Sequence, residues 1–150
     1  MIQTKFIDKE IKYIGSQLAP HWIYKNFNIM GDAIVAFQGE CEVNLTEMVD
    51  IEDVINNEPI YSKSMLSFIS EQYNISLVEG VFRQRLLICT IKEALEKRGC
   101  LVTRDGDDLF FGGKKLTVSI ATKSHTSILI HTGINIESEG APVEASGLSS

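Results

Sequence analysis

Two adjacent lysines, Lys114 and Lys115, follow a Gly112-Gly113 pair and lead into Leu116-Thr117-Val118-Ser119-Ile120. In an extended segment Lys115, Thr117 and Ser119 fall on one face and Leu116, Val118 and Ile120 on the other. Lys115 then heads a polar strand face, where an ammonium can act as a point charge over an anionic ligand. Just upstream, Arg104-Asp105-Gly106-Asp107-Asp108 places one cation and three carboxylates within five residues. Asp and Gly are turn formers, so this stretch is either a solvated hairpin loop or a polar rim that holds a ligand's charged groups. If the chemistry needs Mg²⁺, Asp107, with Asp108 beside it, is the first carboxylate expected to bind it. A second acidic group, Asp50, Glu52 and Asp53, offers oxygen ligands of the kind a metal-dependent hydrolase uses, at a spacing that matches no metal loop. His21, His125 and His131 show no HxH or HExxH spacing, which gives zinc little support. Ser119 has no GxSxG elbow around it. Cys41, Cys89 and Cys100 have no neighbouring base and read as core or loop residues.

The chain that must position these groups has 150 residues, 44% of them hydrophobic and 23% charged, the composition of one globular domain. Its 14 cations against 20 carboxylates give a net charge of −6, which disfavours a nucleic-acid carrier. No apolar run approaches the ~20 residues of a spanning helix, and Met1 to Glu10 contains no signal-peptide core, so no membrane partner is expected. Three widely spaced cysteines form no disulfide framework and suit a reduced cytoplasm.

The apolar stretch Lys5 to Leu18 ends at Ala19-Pro20, where proline limits a helix or an inner strand. Gly31-Asp32 opens a buried-strand run, Ala33 to Phe37, closed by Gln38-Gly39. A helix start is expected near Ser62-Lys63-Ser64, because Met65, Phe68, Ile69 and Tyr73 fall at helical spacing. A longer helix is predicted from about Ser76 to Arg98. Val81, Ile88, Ile91 and Leu95 form its stripe, widened by Phe82, Leu87 and Ala94, and Gly99 serves as C-cap. After Gly99 the period becomes that of strands: Cys100–Thr103, Asp108–Phe111, Lys115–Thr122 and Thr126–Ile136, with Gly112-Gly113 as a hairpin turn. Glu137 to Ser150 reads as a loose tail. The order fits an α+β domain with a mixed, largely antiparallel sheet backed by helices.

A helix ending Ala94-Leu95-Glu96-Lys97-Arg98-Gly99, then a strand, then Arg104 to Leu116, and later Ile130-His131-Thr132-Gly133-Ile134-Asn135-Ile136, resembles the biotin protein ligase catalytic domain. That family's stretch reads K-W-P-N-D, strand, G-(K/R)-K, strand, and then G-I-N. Gly31 to Gln38 is similar to the strand before its nucleotide-binding loop. The chain resembles more closely an archaeal and bacterial family catalogued as a domain of unknown function. The residues that carry this are Arg83-Gln84-Arg85-Leu86, Gly106-Asp107-Asp108-Leu109, Lys115-Leu116, Ser119-Ile120-Ala121-Thr122 and Gly133-Ile134-Asn135. That family shares the fold of biotin and lipoate ligases and class II aminoacyl-tRNA synthetases. Its members run somewhat past this sequence's end, so a terminal segment is expected to be missing.

The resemblance implies one ligase-type domain with a cleft on the sheet face opposite the helices. It also implies an activated carboxylate or nucleotide as ligand, ATP and Mg²⁺ as cofactors, and a homodimer. Arg104 stands where the ligases place the lysine that contacts acyl group and phosphate. Asp108 is the D of W-P-N-D, Lys115 matches the lipoate-ligase lysine, and Asn135 is the N of G-I-N. Arg104 and Lys115 are thus the expected catalytic residues, with Gln38, Arg83, Arg85, Asp108, Ser119 and Asn135 expected to bind ligand. Two departures count against the ligase reaction. The Gly/Arg adenylate loop has no counterpart after Gln38, where Gly39-Glu40-Cys41-Glu42 is short and acidic. Asp105 and Gly106 replace the Trp and Pro. A binding module that kept the cleft without the chemistry is the alternative.

Overall fold

In the computed structural model, residues 1–44, 60–137 and 147 are described. Ser76 caps the main helix α2 (Leu77–Lys97) by accepting from the Glu79 N–H. The helix ends where Gly99, at φ +84°, and Cys100 donate their N–H groups to Glu96 and Leu95. Gly80, Gln84, Ile88 and Ile91 are its buried stripe. Phe82, expected in the core, is 68% exposed. At 100° per residue it lies on the opposite side of the helix from Gln84, and Ala94 is exposed as well.

A five-stranded sheet runs in the order β1 (Gln3–Phe6), β2 (Ala33–Val43), β3 (Ile60–Gln72), β8 (Ile128–Glu137), β7 (Thr117–Lys123). Only β1–β2 is parallel; the other ladders are antiparallel. A small sheet of β4 (Thr103–Asp105), β5 (Asp108–Phe111) and β6 (Lys114–Lys115) stands beside it. Gly112 and Gly113, at φ +60° and +78°, make the predicted hairpin turn between β5 and β6. The first predicted strand of this region shifts from Cys100 to Thr103 at its start, and the third is split at Leu116 into β6 and β7.

The segment expected to start a helix near Ser62 is the central strand β3. Met65, Ser67, Ile69 and Glu71 face one side of the sheet, while Leu66, Phe68, Ser70 and Gln72 face the other. Both sides are covered, so the strand shows no simple alternation, and its apolar residues fall at helical spacing by coincidence. β2 also runs past its expected end through an irregularity between Gly39 and Cys41. A Cβ at Gly39 would lie 2.1 Å from the Ile11 carbonyl oxygen, which explains the glycine.

One face of the sheet carries α2 and the small sheet. Ile88, Ile91, Val102, Leu109, Leu116 and Ile134 form the core there. The opposite face, expected to hold a cleft, carries the N-terminal arm, residues 7–29, which contains the short helix α1 (Trp22–Phe27). Ile7, Tyr13 and Ile23 of the arm pack onto Val35, Phe37, Met65 and Ile69. The apolar stretch before Pro20 therefore works as a layer over the sheet. Among the described residues no helix is long and apolar enough to cross a membrane.

Candidate functional site

The turn after β4 and the adjoining strand β6 bring the predicted charges together. Lys115 Nζ lies 3.5 Å from Asp108 Oδ2, with the two side chains 41% and 24% exposed. The ladder sets Asp105 opposite Asp108. Burial raises the Asp108 carboxyl above its usual range, Lys115 opposes that shift, and Asp107 and Asp105 add to it. Arg104, exposed, bends back to donate from Nη1 to the Gly106 carbonyl at 2.7 Å. An ideal Cβ on Gly106 would stand 3.9 Å from Arg85 Nη2, which places that guanidinium beside the turn. Arg85, Arg104, Lys115, Asp105, Asp107 and Asp108 thus share one charge-balanced end of the molecule.

Beneath this end is Gln84, a residue to which the sequence reading gave no role of its own. Its Nε2 donates to Asp107 Oδ2 at 3.1 Å and to Ser119 Oγ at 2.8 Å, and Ser119 Oγ lies 2.9 Å from Thr132 Oγ1. This chain ties α2, the β4–β5 turn, β7 and β8. A polar residue inside the 80, 84, 88, 91 stripe was the available signal. Thr117, expected on an exposed polar face, is fully buried, and its Oγ1 accepts the Leu109 N–H at 2.9 Å. The break at Leu116 disrupts the alternation that would have put Thr117 and Ser119 beside Lys115, and both face α2 instead.

The other predicted ligand-binding residues do not join this cluster. Arg83 donates to Gln72 and Glu79. Gln38 lies on β2 paired with Leu66, and its Nε2 donates to Ser64 Oγ at 3.3 Å. Asn135 is buried on the arm side of the sheet, paired with Met65. Asp50, Glu52 and Asp53 lie outside the described residues. Among the described residues no group of three or more His, Cys, Asp or Glu side chains could hold a metal ion. Asp107 is engaged by Gln84 and Asp108 by Lys115. The Glu40 and Glu42 carboxylates after Gln38 meet Lys12 Nζ at 3.0 Å each. Asp107 and Asp108 are thus each already in contact with a protein donor.

The arm side holds two buried polar arrangements that the sequence did not reveal. His131 stacks on Tyr13 with ring centroids 3.8 Å apart, and its Nε2 lies 3.1 Å from Ser67 Oγ. Burial pulls its pKa down to about 3, so the ring is neutral. Glu71 is buried and accepts from the His21 N–H at 3.0 Å and from the Ser127 hydroxyl. His21 itself adopts φ +66°, ahead of α1.

This mixed, largely antiparallel sheet with its packed helix has the fold of biotin and lipoate protein ligase domains, which it resembles at 12–15% identity and a TM-score of 0.58. The biotin protein ligase of Aquifex aeolicus in complex with biotin and ATP superposes with a TM-score of 0.60 at 16% identity, over 99% of this chain and 58% of that one. The chain belongs to the family described as a domain of unknown function, DUF366, whose pattern matches residues 2–150. A protein of unknown function from Pyrococcus horikoshi superposes with a TM-score of 0.94 at 39% identity, over 99% of this chain and 81% of that one. The uncharacterized protein MJ0805 of Methanocaldococcus jannaschii is 38% identical over 141 residues. That match spans 91% of this chain but only 64% of the relative.

Proposed function

We propose that this domain binds a small organic acid, or its nucleotide-activated form, with Lys115 as the charge that meets the ligand's anionic group. The observation that carries the reading is the Lys115–Asp108 pair. It is a long, half-exposed ion pair on a ligase-type fold, at the position where the ligase resemblance expects an anion-contacting lysine. Such a pair contributes little to stability, so the ammonium exchanges partners at small cost. Arg104 and Arg85 stand at the same end and supply guanidinium donors that suit a carboxylate or phosphate. Ser119 and Gln84 act one layer down, holding the turn through Asp107.

Binding without acyl transfer is the better supported form. The segment after Gln38 presents carboxylates held by Lys12 where the ligases carry a Gly/Arg loop, and the carboxylates at the site are engaged by protein donors. A ligase reaction remains the second reading, favoured by the fold. Calorimetric titration of biotin, lipoate, ATP and the two acyl-adenylates, followed by a product assay for any that bind, separates the two. Lys115→Ala is expected to weaken binding about tenfold or more, as loss of a charge-assisted contact does. Lys114→Ala, one residue earlier in β6 and on its other side, is the matched control. Equal effects from both substitutions, or no affinity for any of the compounds, would defeat the proposal.

A further inference from the structure

We infer that Asp108 is an internal competitor for the site, a carboxylate that occupies Lys115 until a ligand anion displaces it. The inference rests on the reading of Lys115 as the anion contact and adds how that contact is regulated. Asp108 Oδ2 is 3.5 Å from Lys115 Nζ, and Lys115 is the one cation that an ion pair sets against it among the described residues. The other groups facing Asp108 are Asp105, paired with it across the β4–β5 ladder, and its neighbour Asp107. Asp107, held by Gln84, is a like charge that disfavours the Asp108 carboxylate further once Lys115 is drawn away.

An incoming carboxylate or phosphate must therefore take Lys115 away from Asp108 and lie close to that carboxylate. Both effects weaken anion binding. A residue that contacted the ligand favourably would strengthen it. The same aspartate is what the ligase resemblance casts as ligand-binding, so the two roles predict opposite signs for one substitution.

The test is titration of the full chain with pyrophosphate, lipoate and lipoyl-adenylate, comparing wild type, Asp108→Asn and Asp105→Asn. Asp105→Asn removes the same charge from the neighbouring strand position without touching the ion pair, and thermal melting checks that each variant folds. Asp108→Asn should bind at least one probe about three- to tenfold more tightly than wild type, with a smaller gain for Asp105→Asn. Asp108→Ala serves in its place if the asparagine variant does not fold. Binding by Asp108→Asn where wild type shows none would also support the inference. Wild-type binding that Asp108→Asn leaves unchanged or weakens overturns it while the Lys115 reading stands. Equal gains from both aspartates reduce it to net charge and overturn it too. No binding by any of the proteins overturns the Lys115 reading, and this inference with it.

Discussion

Lowering the pH should destabilise this protein through one residue, His131, and the size of the effect follows from its surroundings. The ring is buried against Tyr13, with the Ser67 hydroxyl at Nε2, and its pKa is drawn from 6.5 down to about 3 by loss of hydration. The folded state thus refuses a proton that the unfolded chain accepts. Stability contributed by the neutral ring is intact above pH 6.5 and is lost as the pH falls from there towards 3. Linkage over that span gives a loss of about 2 kcal/mol between roughly pH 7.5 and pH 5, and about 3 kcal/mol by roughly pH 4. The measurement is urea unfolding of wild type and His131→Gln at both ends of the range. The variant is expected to be less stable at neutral pH, because a close stack is lost. Its decline on acidification should nonetheless be shallower than that of wild type by about 2 kcal/mol at roughly pH 5. Carboxylates common to both proteins cancel in the difference. Parallel declines would show that His131 takes up its proton in the folded state, and the argument from burial would fail.

Replacing Gly39 by Ala should cost about 3 kcal/mol or more and lower the urea midpoint, because the new methyl meets the Ile11 carbonyl, a backbone group, and not a side chain that can turn away. Cys41 is buried with its thiol pushed up to about 12, so a disulfide-exchange reagent should modify it only at the rate of unfolding. Cys41→Ser then removes no fast-reacting thiol. Removing the ammonium in Lys115→Ala takes away the group that lowers the Asp108 carboxyl, whose pKa should rise further above the usual carboxylate range. Carboxyl carbon chemical shifts followed through a pH titration read this directly, and an unchanged Asp108 titration would contradict the pairing.

The elements set by short-range chemistry were legible in the sequence. α2 carries its cap, its stripe and its glycine stop, and Gly112-Gly113 can hardly be anything but a hairpin turn. The pairing of Lys115 with Asp108 was not read from the sequence, which set Lys115 on a face with Thr117 and Ser119 and left Asp108 in the preceding turn. What was not legible depends on layers. β3 is sandwiched between α2 and the arm, and burial on both faces erased the alternation that marks a strand. Gln38, Ser119 and Asn135 look equivalent as strand residues. Yet Asn135 faces the arm, Ser119 faces α2, and Gln38 sits across the sheet on β2. Period-two reasoning says which residues share a face and not what covers that face. Glu71 and Gln84, the buried polar hubs, were missed because their partners lie 50 and 35 residues away in sequence.

The sheet also acts as a partition. Its two faces support separate apolar clusters, one under the arm and one under α2, and the strands contribute different side chains to each. Changes in one layer should therefore add to changes in the other within about 0.5 kcal/mol, while changes within a layer interact. The charged hairpin end belongs wholly to the α2 layer. A core substitution under the arm that leaves the protein folded should therefore lower its stability without changing what the charged hairpin end binds.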